Sequence, residues 1–340
     1  MAPMAEMNSR RLIMRLSLLV CARQVWQGGS PMNNFVQMLD SDTPIIIDGG
    51  LATHLESMGF DLDNDLWSAS LLTNNPGAIV EAHLAYLEAG ADCIISASYQ
   101  ASRQGFMSRG MTAEEADRLT VSAVELAKTA CEEYLAGHPE VDSPLLVAAS
   151  VGPYGAAQHD GSEYTGAYNV SDKNLCDFHA QRLRLLDEAG ADVLAVETIP
   201  NFCEAEILAD LLADVATPSW VSFACRDESH LSDGSPLWAA AGLFAEHSRV
   251  AAVGVNCTPP QFVALLIEEL KSAAPEKAIV VYPNSGEIFR SEDNSWSGGA
   301  CDLDHNFNVS DWYAAGAKGI GGCCRTGPDD IAAIRVRLHG

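Results

Sequence analysis

From residue 44 onward, short apolar runs alternate with longer stretches in which apolar and polar positions follow a helical period. The runs are PIIIDGG (44–50), DCIISAS (92–98), LLVAASVG (145–152), DVLAVET (192–198), SWVSFAC (219–225), VAAVGVNC (250–257), AIVVYPNSG (278–286) and AKGIGGCC (317–324), eight in all. Within each run the apolar character is near-continuous, which marks strands buried on both faces, as in a parallel sheet. The stretches between them, such as NPGAIVEAHLAYLEAG and SDKNLCDFHAQRLRLLDEAG, predict helices. The first opens on Asn75 and Pro76, an N-cap and N1 pair, and both close on EAGAD, where Gly90 and Gly190 read as helix C-caps feeding the next strand.

Eight βα units over this length predict an α/β fold, a single-domain (β/α)8 barrel. The competing arrangement is an open, doubly wound sheet of the same units. No G-x-G-x-x-G follows the first strand and no G-x-x-x-x-G-K-[ST] occurs anywhere, which favours the barrel. So does the gathering of polar and sulfur-bearing residues at the carboxyl ends of the strands, the rim on which barrel enzymes build their sites.

The N-terminus departs from this pattern. Its first 39 residues hold Arg10, Arg11, Arg15 and Arg23 against one acid, Glu6. An Arg-rich, acid-poor, apolar segment has the profile of a mitochondrial targeting peptide. The alternative is a disordered or mis-started extension, with Met32 and Met38 just ahead of the globular pattern. The expected organisation is therefore an extension over 1–40 and a barrel domain over 41–340.

Charge and composition narrow the function. Twenty basic and 46 acidic residues give a net charge of −26, which would be repelled by a phosphate backbone, so no nucleic-acid partner is expected. At 48% hydrophobic and 19% charged, the chain can bury a large core. No uncharged apolar run reaches the roughly 18 residues of a membrane span, and no membrane partner is expected. The ten cysteines are scattered, mostly inside apolar runs, with no C-x-x-C. That pattern suits buried thiols in a reducing compartment rather than a disulfide framework, and a cytoplasmic location, with a mitochondrial one as the alternative.

Cys323 and Cys324 stand apart because adjacent cysteines rarely bridge each other, so a shared metal is the better reading. Cys257 ends the sixth strand and the pair ends the eighth; in a barrel these ends share one rim, and three thiols can converge. The alternative is unrelated buried thiols. Three thiolates without a fourth protein ligand would make an open zinc site, and soft sulfur selects zinc over magnesium or calcium. Gly254, Gly321 and Gly322 would let backbone approach such a metal. Zinc on three thiolates is electron-rich, a poor activator of water but a good holder of another thiolate. The expected chemistry is alkyl transfer to a substrate thiol.

The motifs DGGLATHLE, LWSASLL, ASYQAS, ASVGPYGA, DGSEYTG, ETIPN, GVNC, VVYPNSGE and GGCCRTGP, in order over roughly residues 42–338, resemble the homocysteine S-methyltransferase family. The likeness is to the branch using S-methylmethionine or S-adenosylmethionine as donor. It implies one zinc ion held by Cys257, Cys323 and Cys324, and transfer of a methyl group to L-homocysteine to give methionine. Asp48 and Glu197 resemble the acids that family members use on the substrate ammonium. The alternatives are a turn role for Asp48 beside Gly49 and Gly50, and an internal ion pair for Glu197. Tyr99 is a candidate substrate-binding residue; with Tyr164, Trp67 and Trp296 it could present an aromatic face to a sulfonium, or simply pack. Asp160 and Glu163 either pair with a donor ammonium or lie on a solvated loop. The nine histidines show no metal spacing, and His83 and His179 read as surface or packing residues. Other readings are the same scaffold with a betaine donor or a selenocysteine acceptor, and a non-catalytic zinc-binding barrel.

Overall fold

The computed structural model describes residues 33–62, 67–158, 160–286, 288–290, 295–297, 301–302 and 305–340, with backbone alone at 67–68, 288–290 and 295–297. Every predicted apolar run forms a strand: β1 (Ile45–Ile46), β2 (Cys93–Ile95), β3 (Leu146–Val151), β4 (Val193–Ile199), β5 (Ser219–Phe223), β6 (Val250–Asn256) and β7 (Ala278–Tyr282). A small hairpin, β8 (Ile288–Arg290) with β9 (Ser295–Ser297), precedes the last of them, β10 (Ala317–Ile320). The eight long-range strands pair in the order β1-β10-β7-β6-β5-β4-β3-β2, all in parallel. A parallel bridge between Ile47 and Cys93, with the Asp48 amide donating to the Cys93 carbonyl at 3.0 Å, joins the two ends into a barrel.

Alternation along each strand builds two cores. Ile46, Ile94, Val147, Leu194, Val221, Val253, Ile279 and Ile320 point outward into the ring of helices. Ile45, Cys93, Leu146, Val193, Trp220, Ala252 and Val280 point inward and fill the barrel. Both faces of the strands are thus dry, which is why the runs read as continuous rather than alternating. Trp220, fully buried, is the largest of the inward residues.

The helices follow their predicted caps. Asn75 is the N-cap and Pro76 the first residue of the helix Pro76–Glu88, although the Asn75 side chain makes no capping bond. Gly90 and Gly190 adopt φ of 92° and 77°, the left-handed turn that glycine takes without steric cost. The repeated EAGAD has a second use. The carboxylates of Asp92 and Asp192 accept the Ile46 and Val147 amides, each at 2.9 Å, so each acid ties down the second residue of a neighbouring strand.

A helix over Asn34–Leu39 lies within the stretch that composition grouped with the extension. Asn33 caps it through the Phe35 amide and donates to the Asp192 carbonyl at 2.9 Å, at the amino end of β4. Phe35 and Leu39 join the inward-facing core, the Phe35 ring 5.5 Å from Trp220, so this helix plugs the barrel at the end opposite the cysteines. The compact unit accordingly runs from Asn33 to Gly340. No described helix is long and apolar enough to cross a membrane. His83 and His179 are fully buried, settling them as interior residues; burial pushes the His83 imidazole down to about 4.

Candidate active site

The carboxyl ends of β6, β7 and β10 interlock around three sulfurs. Cys257 follows β6 directly. The stretch after β10 is strung on its neighbours: the Gly322 amide donates to the Asp48 carbonyl at 3.1 Å and the Cys323 amide to the Pro283 carbonyl at 2.8 Å. Asn284 fixes the next residue, its Oδ1 accepting the Cys324 amide at 3.2 Å. As a result the sulfurs of Cys257, Cys323 and Cys324 all lie within 4.8 Å of one another, with Cys257 Sγ and Cys324 Sγ 3.7 Å apart. All three residues keep some exposure, and the nine described cysteines are free thiols.

Crowding splits these thiols. Hydrogen bonds from Cys257 and then Cys323 hold Cys324 well below the usual thiol range, while Cys257 is pushed well above it by its contacts with Cys323 and Cys324. One negative charge is welcome among three sulfurs and further charge is not. A soft dication is what would let all three ionise, so the donor set fits a thiophilic metal with its fourth position free. The glycines beside the sulfurs are held to their size by the chain itself. A Cβ at Gly254 would sit 2.0 Å from the Val280 carbonyl, and one at Gly322 2.2 Å from Thr326 Oγ1. Neighbouring chain passing against them is enough to keep these positions small.

Two carboxylates stand on the Cys323 side. Asp48 is 1% exposed; its Oδ2 accepts the Ile95 amide at 2.9 Å and its Oδ1 has no hydrogen-bond partner among the described residues. One oxygen therefore does serve local structure, and the other is left for a further donor. Burial, with lesser repulsion from Glu197 and Cys323, raises its carboxyl well above the usual range. Glu197 is buried at the end of β4 and makes no ion pair among the described residues; it accepts hydrogen bonds from Ser150 Oγ and from Tyr282. Burial pushes it up to about 8. Two buried acids that resist ionisation are chemically suited to an arriving cation, which would favour their charged forms.

Tyr99 sits at the rim with its ring against Gly152, where a Cβ would lie 2.7 Å from it. Its phenol bonds to Thr198, and its surroundings include Cys257, Glu163 and Tyr164. The candidate residues Asp48, Glu197, Tyr99 and the three cysteines thus converge on one end of the barrel. Asp160 is exposed and accepts the Ser162 amide at 3.0 Å, a turn role. The side chains of Trp67 and Trp296 lie outside the described residues.

Sequence reading overlooked the layer beneath. Trp220 Nε1 donates to the Tyr282 hydroxyl at 2.9 Å, and Ser222 Oγ lies 2.7 Å from the same oxygen. Asn256, fully buried, accepts the Thr198 amide at 2.7 Å and the Ser222 hydroxyl at 2.8 Å, and donates to Thr198 Oγ1 at 2.7 Å. Thr198, Cys257 and Arg325 are the described non-glycine residues with positive φ, at 61°, 49° and 65°; Cys257 is a candidate site residue and the other two adjoin one. Backbone strain of this kind persists only where the surroundings impose it. Farther out, Arg182, buried, donates to the carbonyls of Gly152, Ser98 and Tyr99, and so ties the loops after β2 and β3 together. Glu204 accepts from Tyr154 N, His179 Nε2 and Tyr168, the last two at 2.7 and 3.0 Å. The position of Asn256 beside Cys257 and of Tyr282 in VVYPNSG was the only hint of these roles.

Comparison with known proteins agrees with this geometry. The family model for homocysteine S-methyltransferase matches residues 45–338. Homocysteine S-methyltransferase YbgG of Bacillus subtilis is 44% identical over 306 residues, covering 89% of this chain and 97% of the relative. Selenocysteine Se-methyltransferase of Brassica oleracea is 44% identical over 306 residues, covering 86% and 88%. The crystal structure of the metallated form of homocysteine methyltransferase MmuM from Escherichia coli superposes with a TM-score of 0.79 at 44% identity, over 90% of this chain and all of that one. With the barrel, the three convergent sulfurs and the match along nearly the whole described chain in agreement, the protein belongs to the homocysteine S-methyltransferase family of enzymes.

Proposed function

We propose that the protein moves a methyl group from a sulfonium donor, S-methylmethionine or S-adenosylmethionine, to the thiol of L-homocysteine, giving methionine. The observation that carries this is the placement of three sulfurs beside two buried carboxylates, one with an oxygen that has no partner among the described residues. Cys257, Cys323 and Cys324 would hold one zinc ion, which when bound keeps an acceptor thiol ionised and nucleophilic near neutral pH. Asp48 and Glu197 take the acceptor's ammonium, the Asp48 Oδ1 gaining the donor it lacks. Tyr99 lends an aromatic face to the donor's sulfonium. The acceptor sulfur then forms a bond to the methyl carbon as the carbon–sulfur bond of the sulfonium breaks. The bonding pair stays with the donor sulfur, which leaves as a neutral thioether. The chain's task is to align the two sulfurs, and no residue need act as a base in that step.

A side-by-side assay with the two donors tests the reading. S-methylmethionine should yield two methionines per turnover and S-adenosylmethionine one. No methionine from either donor with zinc-loaded protein overturns it. Cys257→Ser should lose both the bound zinc, about one per chain in the wild type, and turnover; full retention of both would place the metal elsewhere. The Brassica relative supports selenocysteine as a second acceptor, since a selenol with the same ammonium fits the same carboxylates; competition against homocysteine measures the preference. Free thiols throughout the described chain suit a reducing compartment, and we place the reaction in the cytoplasm.

A further inference from the structure

The segment between β3 and the helix Asp172–Glu188 returns to the rim through two short turns, Gly155–Ala157 and Ser162–Tyr164. Its backbone is tightly held: a Cβ at Gly155 would lie 2.5 Å from the Glu163 amide nitrogen, and the Gly166 amide closes onto the Ser162 carbonyl at 2.8 Å. Within this turn Glu163 is only 8% exposed, and its Oε2 has no hydrogen-bond partner among the described residues. No described residue forms an ion pair with it either. A buried carboxylate oxygen without a donor costs stability and is uncommon in a folded protein.

The position of Glu163 separates it from the other two acids. Asp48 and Glu197 bear on Cys323. Glu163 instead bears on Cys324, Tyr99 and Tyr164. The sulfur cluster therefore has two acids near Cys323 and a third near Cys324, and this third acid is accompanied by two phenol rings. Methyl transfer between two amino acids brings two ammonium groups to one rim. Asp48 and Glu197 together suffice for one of them.

We infer that Glu163 binds the α-ammonium of the methyl donor, so that the two faces of the sulfur cluster each receive one amino-acid substrate. This rests on the reading above that both substrates are amino acids. An ammonium supplies the N–H that Oε2 lacks, a requirement that a sulfonium, having no N–H, cannot meet. Burial pushes the Glu163 carboxyl up to about 7, and an ammonium beside it would hold it ionised.

Glu163→Gln in the zinc-loaded enzyme tests the assignment. A charge-assisted hydrogen bond is worth on the order of 1.5–3 kcal/mol, so the donor KM should rise about 10- to 100-fold. The homocysteine KM should stay within about twofold, the scatter expected of a site the substitution does not touch. Glu197→Gln should show the reverse split. The second arm compares S-methylmethionine with its des-amino analogue, which keeps the sulfonium and the carboxylate. Wild-type enzyme should prefer the parent by the same factor in direct calorimetric binding, and Glu163→Gln should not discriminate. If the donor KM is unchanged, if both KM values rise together, or if wild type binds the two compounds equally, the assignment is wrong. Should Glu163→Gln not fold, Glu163→Ala takes its place in both arms with the same expected outcomes. Failure of methylation by the wild type would instead strike the functional reading itself.

Discussion

Asn256 touches no substrate in this scheme, yet the structure makes it a keystone, and Asn256→Ala puts a number on that. The substitution removes three buried hydrogen bonds, two with Thr198 and one with Ser222, at 2.7, 2.7 and 2.8 Å. At about 1 kcal/mol net per bond the loss is ~3 kcal/mol, and the Thr198 amide is left buried without a partner. The change also frees strain, since Thr198 is held at φ 61° by this clamp. Relaxation to negative φ would return on the order of 1–3 kcal/mol, so the observed destabilisation should fall nearer 1 kcal/mol. That relaxation would swing the peptide next to Glu197 and move its carboxylate. The homocysteine KM should therefore rise although no contact to homocysteine was removed. Thr198→Gly isolates the mechanism, because glycine adopts φ 61° without cost. Urea unfolding followed by tryptophan fluorescence, on both single variants and the double, completes a cycle. The shared Thr198 bond and the shared strain relief are each counted twice in the sum of the singles, and the strain relief is the larger, so the double variant should lose about 1 kcal/mol more than that sum. Additive losses, or an unchanged homocysteine KM in Asn256→Ala, would refute the clamp.

Three further outcomes follow from the same geometry. Glu197→Gln should raise the homocysteine KM about 10- to 100-fold with zinc content unchanged, as metal analysis and steady-state kinetics will show, because it removes charge and leaves the sulfurs intact. Glu163 and Glu197 are pushed up to about 7 and about 8, so between the ordinary carboxylate range and those values the ligand-free folded protein binds more protons than the unfolded chain. Its stability should fall as pH rises through that window, and Glu163→Gln should melt higher than wild type at about pH 8, with the gap closing below about pH 5; a gap independent of pH would contradict the burial argument. Phe35→Ala should cost on the order of 3–5 kcal/mol in urea unfolding, since Phe35 is 1% exposed against Trp220 at the plugged end of the barrel; a surface-like cost below about 0.5 kcal/mol would show that the plug is dispensable.

The sequence by itself determined the eight strands, the helix ends at Gly90 and Gly190, and the meeting of Cys257 with Cys323 and Cys324. These were legible because each is a local matter. A run buried on both faces is written in consecutive residues, a left-handed C-cap needs glycine at one place, and residues that end strands of a parallel barrel must share its rim. Asp48 and Glu197 could be nominated from their resemblance to acids of the family, and Tyr99 as an aromatic face for a sulfonium. What only the tertiary structure decided depends on segments far apart in the chain. Closure through Ile47 and Cys93, the Phe35 plug under Trp220, and the bonds of Asn256 to Thr198 all join positions that no local pattern links. The glycines at 254 and 322 show the same limit, since the atoms that forbid a side chain there belong to Val280 and Thr326. Glu163 shows it most clearly. In sequence it stands three residues after Asp160 in a polar loop, with nothing to tell the two acids apart. Folding leaves Asp160 in solvent and turns Glu163 inward with an oxygen unpaired, because burial is a property of what packs over a residue and not of the residue's neighbours in the chain.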